Sequence, residues 1–420
     1  MITPWEVEGA VDYERLLKEF GITPFENLLS SIPNPHRLMS RGVIFGHREY
    51  ERIVEAMKSG KEFAVMSGFM PSGAIHFGHK MTMDEIIWHQ KIGAKAFVAI
   101  ADMEAHLVRG LSYEKTEKIG MDYVKSIIAL GLEKNAVVYF QSKNSNVKNL
   151  AYELSAEVNL NEMRAIYGFV GETQISKAFV SLIQSADILQ PQLPDFGGPK
   201  PVVVPVGADQ DPHLRLTRDL ASRVNLFSIE KLNDGFRVRS KKEESLEKVT
   251  KLGFEFKKFS GHVDLLGDYE EIEKALRDLE IELGGFAFIP PSSIYHKFTT
   301  GLTGGKMSSS KPESYISLLD DPKLAIKKLR NALTGGRNTA EEQRRLGGEP
   351  EKCVVFELYV YHLVESDQEL KRIEEECRSG KILCGTCKKF ASELMVEFLK
   401  EHKEKRDEAE GKLGDYIVVY

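Results

Sequence analysis

Two stretches of this chain combine residue types that could act on phosphates. The first is Pro71-Ser72-Gly73-Ala74-Ile75-His76-Phe77-Gly78-His79. His76 and His79 are three apart, so one helical turn carries both imidazoles on one face. Gly78 between them leaves room for a flat ring to lie against the backbone. Imidazole N–H groups placed there can donate to phosphate oxygens as charge develops at phosphorus. The second stretch is Lys306-Met307-Ser308-Ser309-Ser310, preceded by Gly301, Gly304 and Gly305. Lys306 supplies a point charge for phosphates, and the serines supply hydroxyls and a helix cap. Taken alone, the first motif describes two histidines at a helix start and the second a lysine on a glycine-rich surface loop.

The elements around them narrow these readings. The run EFAVM (62–66) reads as a short buried strand, SGFMPSGA as loop chemistry, and the text after it as a helix. The order repeats with a strand at 95–101, a helix near 114–130, a strand at 136–141 and a helix near 148–166. Strands alternating with amphipathic helices predict a Rossmann-like α/β domain, with a parallel sheet covered on both faces. His76 and His79 then stand where the first strand hands over to the first helix, at the sheet's carboxyl end. Helix starts offer free N–H groups and a positive dipole end to a polyphosphate.

Residues 187–200 are rich in Pro and Gly and mark an insertion or crossover. A strand at 201–209 and a helix near 212–224 follow, then a charged surface excursion within 225–285. Beyond 321 the pattern is wholly helical. The predicted organisation is an N-terminal appendage (1–60) with a β-hairpin, an α/β domain (61–320) with a connective insertion, and an all-α domain (321–420).

Composition bounds the function. With 420 residues, 42% hydrophobic and 29% charged, the chain is ordinary globular protein of two or three domains. A net charge of −6 argues against a non-specific DNA coat but permits a local basic face for one nucleic acid. The four cysteines make no disulfide framework. The first residues lack the layout of a signal peptide, and no run reaches the ~18 apolar residues of a membrane helix, so a cytoplasmic location is expected.

Together and in this order, the two phosphate motifs resemble the paired signatures of class I aminoacyl-tRNA synthetases. The segment Gly207-Ala208-Asp209-Gln210-Asp211-Pro212-His213-Leu214-Arg215-Leu216-Thr217-Arg218-Asp219 is similar to one in tryptophanyl-tRNA synthetases of archaeal and eukaryotic type. Trp5-Glu6-Val7, the segment Arg41–Glu49 and Gly335-Gly336-Arg337-Asn338-Thr339-Ala340-Glu341-Glu342 match the same family. The resemblance implies attack of a tryptophan carboxylate on the α-phosphate of ATP, used with Mg²⁺, then transfer to tRNA(Trp) by a homodimer. It implies that Ser72, Gly73, His76, Gly78, His79, Lys306, Met307 and Ser308 hold ATP. The catalytic groups among these would be His76, His79, Lys306 and Ser308, together with Ser309. It places Glu104 beside the indole N–H, which needs an acceptor, and Gln184 and Gln210 at the α-amino group.

Two positions depart from the family. Met66 stands where a tyrosine is common, and Ala99 replaces a glutamine, so the pocket makes fewer polar contacts. The rival is tyrosyl-tRNA synthetase, whose Gln-x-x-Asp pattern is matched by Gln184 and Asp187; the segments 41–49, 207–219 and 335–348 weigh against it. A nucleotidyltransferase of the same fold rarely carries such a helical tail, and the intact His76, Gly78, His79 and Lys306 argue against a relative that has lost catalysis. Cys353, Cys377, Cys384 and Cys387, spaced C-x23-C-x6-C-x2-C, could hold Zn²⁺ or a [4Fe–4S] cluster, or could be buried apolar thiols. Similar spacing occurs in some bacterial members of the family that carry the iron–sulfur form.

Overall fold

The computed structural model describes residues 12–305, 307 and 311–419. Its strands are β1 (Thr23–Pro24), β2 (Ile44–Arg48), β3 (Ala64–Phe69), β4 (Lys95–Ile100), β5 (Val137–Phe140), β6 (Val202–Gly207), β7 (Phe227–Leu232), β8 (Gly235–Ser240), β9 (Glu255–Phe259), β10 (His262–Leu266) and β11 (Ser292–His296). The chain divides into two compact units, one of residues 1–145, 203–211 and 292–420, the other of 146–202 and 212–291.

The first unit is built on a seven-stranded sheet of order β1-β2-β11-β6-β3-β4-β5. Strands β3, β4 and β5 are mutually parallel, as are β6 and β11. Strand β4 is buried at every residue from Ala96 to Ile100, and β5 throughout, which is why both read as unbroken apolar runs. Strand β3 is longer than the sequence suggested: Ser67, Gly68 and Phe69 stay paired with Val98, Ala99 and Ile100, and the loop starts only at Met70. From β3 the chain moves outward through β4 and β5, and β6 lies on the opposite side of β3. The strand order therefore reverses between β3 and β6, and a crevice opens at their carboxyl ends.

The expected hairpin through 41–49 is instead a single strand. It pairs antiparallel with β11 on one side and with β1 on the other, so its ladder partners come from far along the chain. The helices after residue 321 include Pro322–Asn331, Ala340–Leu346, Val354–Leu358, Asp367–Arg378 and Cys384–Glu410. Val355, Leu358, Met395 and Leu399 from these helices join Val65, Val98 and Val138 of the sheet in one hydrophobic core.

In the second unit the helix expected near 148–166 is broken into Ser145–Leu154 and Leu160–Tyr167. Asn159 causes the restart: its side chain accepts from the backbone N–H of Glu162, whose carboxylate accepts from the N–H of Asn159. The excursion at 225–285 is folded. It forms a four-stranded antiparallel sheet, β7-β8-β10-β9, with helices Glu243–Val249 and Tyr269–Glu282. Phe227, Phe236, Val238, Val263, Leu265 and Leu276 fill a core of its own. Among the described residues, no helix is long and apolar enough to cross a membrane.

Candidate active site

His76 caps the helix Phe77–Lys91 from an extended backbone conformation (φ −140°, ψ 175°). The N–H of Gly78 donates to His76 Nδ1 at 3.1 Å, and the N–H of His76 donates to His79 Nδ1 at 3.2 Å. Each Nδ1 is therefore an acceptor, and in a neutral imidazole the hydrogen must sit on Nε2. His79 Nε2 lies 3.4 Å from the hydroxyl of Tyr123, which in turn donates to the carbonyl of Gly73 at 3.3 Å. The two imidazoles stack with ring centroids 3.9 Å apart. Burial holds the His79 pKa down at about 4, and burial with the neighbouring His79 pushes His76 well below the usual range. Both are neutral at pH 7, so each offers one N–H donor without carrying a charge.

The second motif is tied to the first. Met307 is buried, its N–H donates to the carbonyl of Thr299 at 3.0 Å, and its sulfur lies 3.6 Å from where a Cβ on Gly78 would stand. That Cβ would also meet the His76 ring at 3.0 Å, so glycine is what lets ring, backbone and Met307 pack together. Gly304 and Gly305 turn the loop with φ of 92° and 71°, values that suit glycine. Just past the loop, Ser317 Oγ donates to the carbonyl of Ile75 at 2.7 Å, Leu318 N–H to the same carbonyl at 3.0 Å, and Tyr315 lies 4.8 Å from the His76 ring. Lys306, Ser308 and Ser309 lie outside the described residues, and Ser72 sits in the loop that leads into this helix.

Of the expected amino-acid pocket, Met66 is buried in β3, and Glu104 is buried in the first turn of the helix Asp102–Arg109. Gln210 closes the short helical turn Ala208–Gln210 at the carboxyl end of β6. Gln184 and Asp187 belong to the helix Ile175–Leu189 of the second unit, where Asp187 is buried. Sequence reasoning missed three groups. Tyr123, on the helix Tyr113–Ala129, fixes His79 and Gly73. Arg48 of β2 binds Asp211 through Nε at 2.8 Å, and Tyr295 of β11 donates to the same carboxylate at 2.6 Å. These bonds anchor the residue next to Gln210. Asp211 stands inside the matched segment, but nothing local in the sequence pointed to Arg48 or Tyr295 as its counterparts.

The four cysteines face one small cavity of about 10 Å³, lined also by Val355, Phe356 and Ile373. Gly336 and Gly348 make room for them: a Cβ there would lie 2.5 Å from Cys384 Sγ and 2.7 Å from Cys377 Sγ. Burial and the neighbouring cysteines push the Cys377 thiol up to about 11; burial foremost takes Cys387 to about 12. The donor set suits a soft metal. Yet among the described residues no group of three or more His, Cys, Asp or Glu is arranged to hold a metal ion.

Comparison with known proteins agrees with this geometry. The sequence model of the family described as class I tRNA synthetases (W and Y) matches residues 57–244 and 267–400. The tryptophan–tRNA ligase of Archaeoglobus fulgidus is 65% identical, with 100% of this chain and 99% of that protein aligned. That of Methanosarcina acetivorans is 53% identical over 100% of this chain and 99% of its own. The crystal structure of tryptophanyl-tRNA synthetase from Aeropyrum pernix K1 superposes with a TM-score of 0.78 at 42% identity, covering 100% of both chains. A nucleotide-type crevice, paired signatures in contact and full-length likeness converge: the chain belongs to the class I aminoacyl-tRNA synthetases, in their tryptophanyl branch.

Proposed function

We propose that the chain activates tryptophan with ATP and then charges tRNA(Trp). A tryptophan carboxylate oxygen attacks the α-phosphorus; the bond to the bridging oxygen breaks, giving tryptophanyl-adenylate and releasing pyrophosphate with the electron pair. The observation that carries this reading is the His76–His79 pair. Its Nδ1 atoms accept from backbone N–H groups, so each neutral ring carries its hydrogen on Nε2, the donor this reading assigns to phosphate oxygens. The His79–Tyr123 contact at 3.4 Å is long for a hydrogen bond, so little is lost when that N–H re-aims at a phosphate. The family resemblance assigns Lys306, Ser308 and Ser309 to the same phosphates. Magnesium bound with ATP would share the charge of its phosphates.

Glu104 receives the indole N–H in this reading, and Gln184 and Gln210 hold the α-amino group. The helical residues 321–420 read a CCA anticodon, and the enzyme works in the cytoplasm. It acts as a homodimer: in the second unit Tyr152, Leu160, Val170 and Ile175 expose 75, 65, 63 and 83% of their surface, and a partner would cover them. Sedimentation at micromolar protein should give twice the mass of one chain.

We also propose that the four cysteines take up a structural zinc ion or iron–sulfur cluster, a reading supported by their common cavity and one that requires the sulfurs to close in on the metal from the arrangement seen here. Bound metal would keep the thiols ionised against the burial that raises them. Elemental analysis of anaerobically purified protein should find zinc or iron, lost in Cys384→Ser/Cys387→Ser. The central test is ATP–pyrophosphate exchange supported by tryptophan, followed by tryptophan-dependent charging of tRNA with a CCA anticodon; absence of both would end the proposal.

A further inference from the structure

We propose that a second cavity in the first unit, away from the paired histidines, is a phosphate-binding site. It measures about 330 Å³ and is lined from the helices Arg37–Ser40, Phe77–Lys91 and Cys384–Glu410 and the turn Tyr359–Leu363. That volume falls at the lower end of the ~300–1,000 Å³ of ligand sites, and far above the ~30 Å³ of one water.

Its walls carry more donors than acceptors. Arg37, Lys80, Lys91 and Lys405 face Asp84, Glu365 and Glu401. The carboxylates are already engaged: Asp84 by Lys80 at 2.6 Å and Arg37 at 3.8 Å, Glu365 by Arg37 at 3.6 Å, and Glu401 by Lys405 at 2.5 Å. Left over are Arg37 Nε and the rings of His362 and His402, all buried and without a hydrogen-bond partner among the described residues; burial keeps both imidazoles neutral, so each ring brings one N–H donor. His362 is 6% and His402 2% exposed. Aromatic neighbours hold these rings in place rather than satisfying them. His362 lies 5.1 Å from Phe77, and His402 stacks on Phe398 at 5.6 Å.

Buried donors without partners are uncommon and costly. A ligand with several acceptor oxygens and negative charge would satisfy them together, and phosphate has both properties. A metal cation fits poorly, because Arg37 and Lys80 repel it and no group of three ligands is arranged for one among the described residues. The same phosphate chemistry is available from free inorganic phosphate or from a backbone phosphate of bound RNA.

Trp88 lines the cavity and reports its occupancy. The chain has two tryptophans, so Trp5→Phe leaves Trp88 as the sole emitter. Inorganic phosphate titrated into this full-length protein should change the emission saturably, with matching heat in calorimetry. Arg37→Gln and His402→Leu should each weaken binding by roughly tenfold, as loss of a charge-assisted donor does. Pyrophosphate exchange should stay unchanged, since neither residue belongs to the paired signatures. Should either variant fail to fold, Lys405→Gln at the half-exposed rim carries the test with a smaller loss. If free phosphate does not bind, but these variants raise the KM for tRNA by about fivefold with exchange unchanged, the site takes a backbone phosphate. Neither effect, or phosphate binding equal in wild type and variants, overturns the proposal.

Discussion

The histidine pair at the start of the helix Phe77–Lys91 and the cysteine quartet near the start of Cys384–Glu410 are both motifs of spaced polar residues, but they are fixed in different ways. At the histidines, backbone N–H groups select a tautomer for each ring, and Tyr123 reaches across to hold one of them. At the cysteines, apolar packing brings the sulfurs to one cavity, with Cys387 Sγ 3.7 Å from the Tyr359 hydroxyl. Imidazole is a strong directional donor and acceptor, whereas a thiol is weak at both. Helix-start hydrogen bonding can therefore preorganise an imidazole pair without any ligand. Thiols lack that anchor and take their positions from packing.

The sharpest break of that contrast is His79→Ala. Loss of one preorganised donor should cost about 2.7–4 kcal/mol in kcat for pyrophosphate exchange, with the KM for tryptophan little changed. Lys306→Ala should behave alike. Unchanged turnover in both would return the motifs to structural roles.

Acid and alkali separate the two regions. The folded pKa of His79, about 4, lies below its ordinary value of 6.5, so the unfolded chain binds the extra proton between those values. Stability is therefore intact above pH 6.5 and is lost as pH falls toward 4, by on the order of 2 kcal/mol at pH 5 from this group alone. Cys377 is shifted the other way, from 9 to about 11, so free thiols lose stability as pH rises through that window. A bound metal would abolish the alkaline loss, because its thiolates carry no proton to release. Denaturant melts at pH 5, 7 and 10, with and without chelator, measure both arms.

Tyr123→Phe should have a smaller effect. It removes the hydroxyl between His79 and Gly73 and should lower kcat by about 0.5–1.5 kcal/mol, with tryptophan KM unmoved. Cys384→Ser/Cys387→Ser should leave exchange within about twofold while loosening the helical segment and weakening tRNA charging. A large loss of exchange in that variant would join the two regions functionally.

What could be read in the sequence follows the range of the forces involved. Strands β4 and β5 were legible because both faces are buried and their apolar runs are continuous. The first signature was legible because its cap, glycine and both rings fall within four residues. The segment 41–49 reads locally as a hairpin but is one strand, since its partners β1 and β11 are set by tertiary pairing. Arg48 and Asp211 stand 163 residues apart, and no local pattern joins them. The sheet at 225–285 was hidden by β9, whose Glu-Phe-Lys-Lys-Phe is exposed at every position and shows no alternation. The turn Asn233-Asp234-Gly235 between β7 and β8 was the available hairpin signal, with Gly235 at φ 139°.

The amino acid that supports pyrophosphate exchange tests the central claim most directly. Asp187, buried beside Gln184 on one helix, keeps the comparison with tyrosine a real one. With each amino acid supplied alone, tryptophan should drive ATP–pyrophosphate exchange and tyrosine should not. Exchange with tyrosine and none with tryptophan would contradict the account and transfer the specificity role from Glu104 to Asp187.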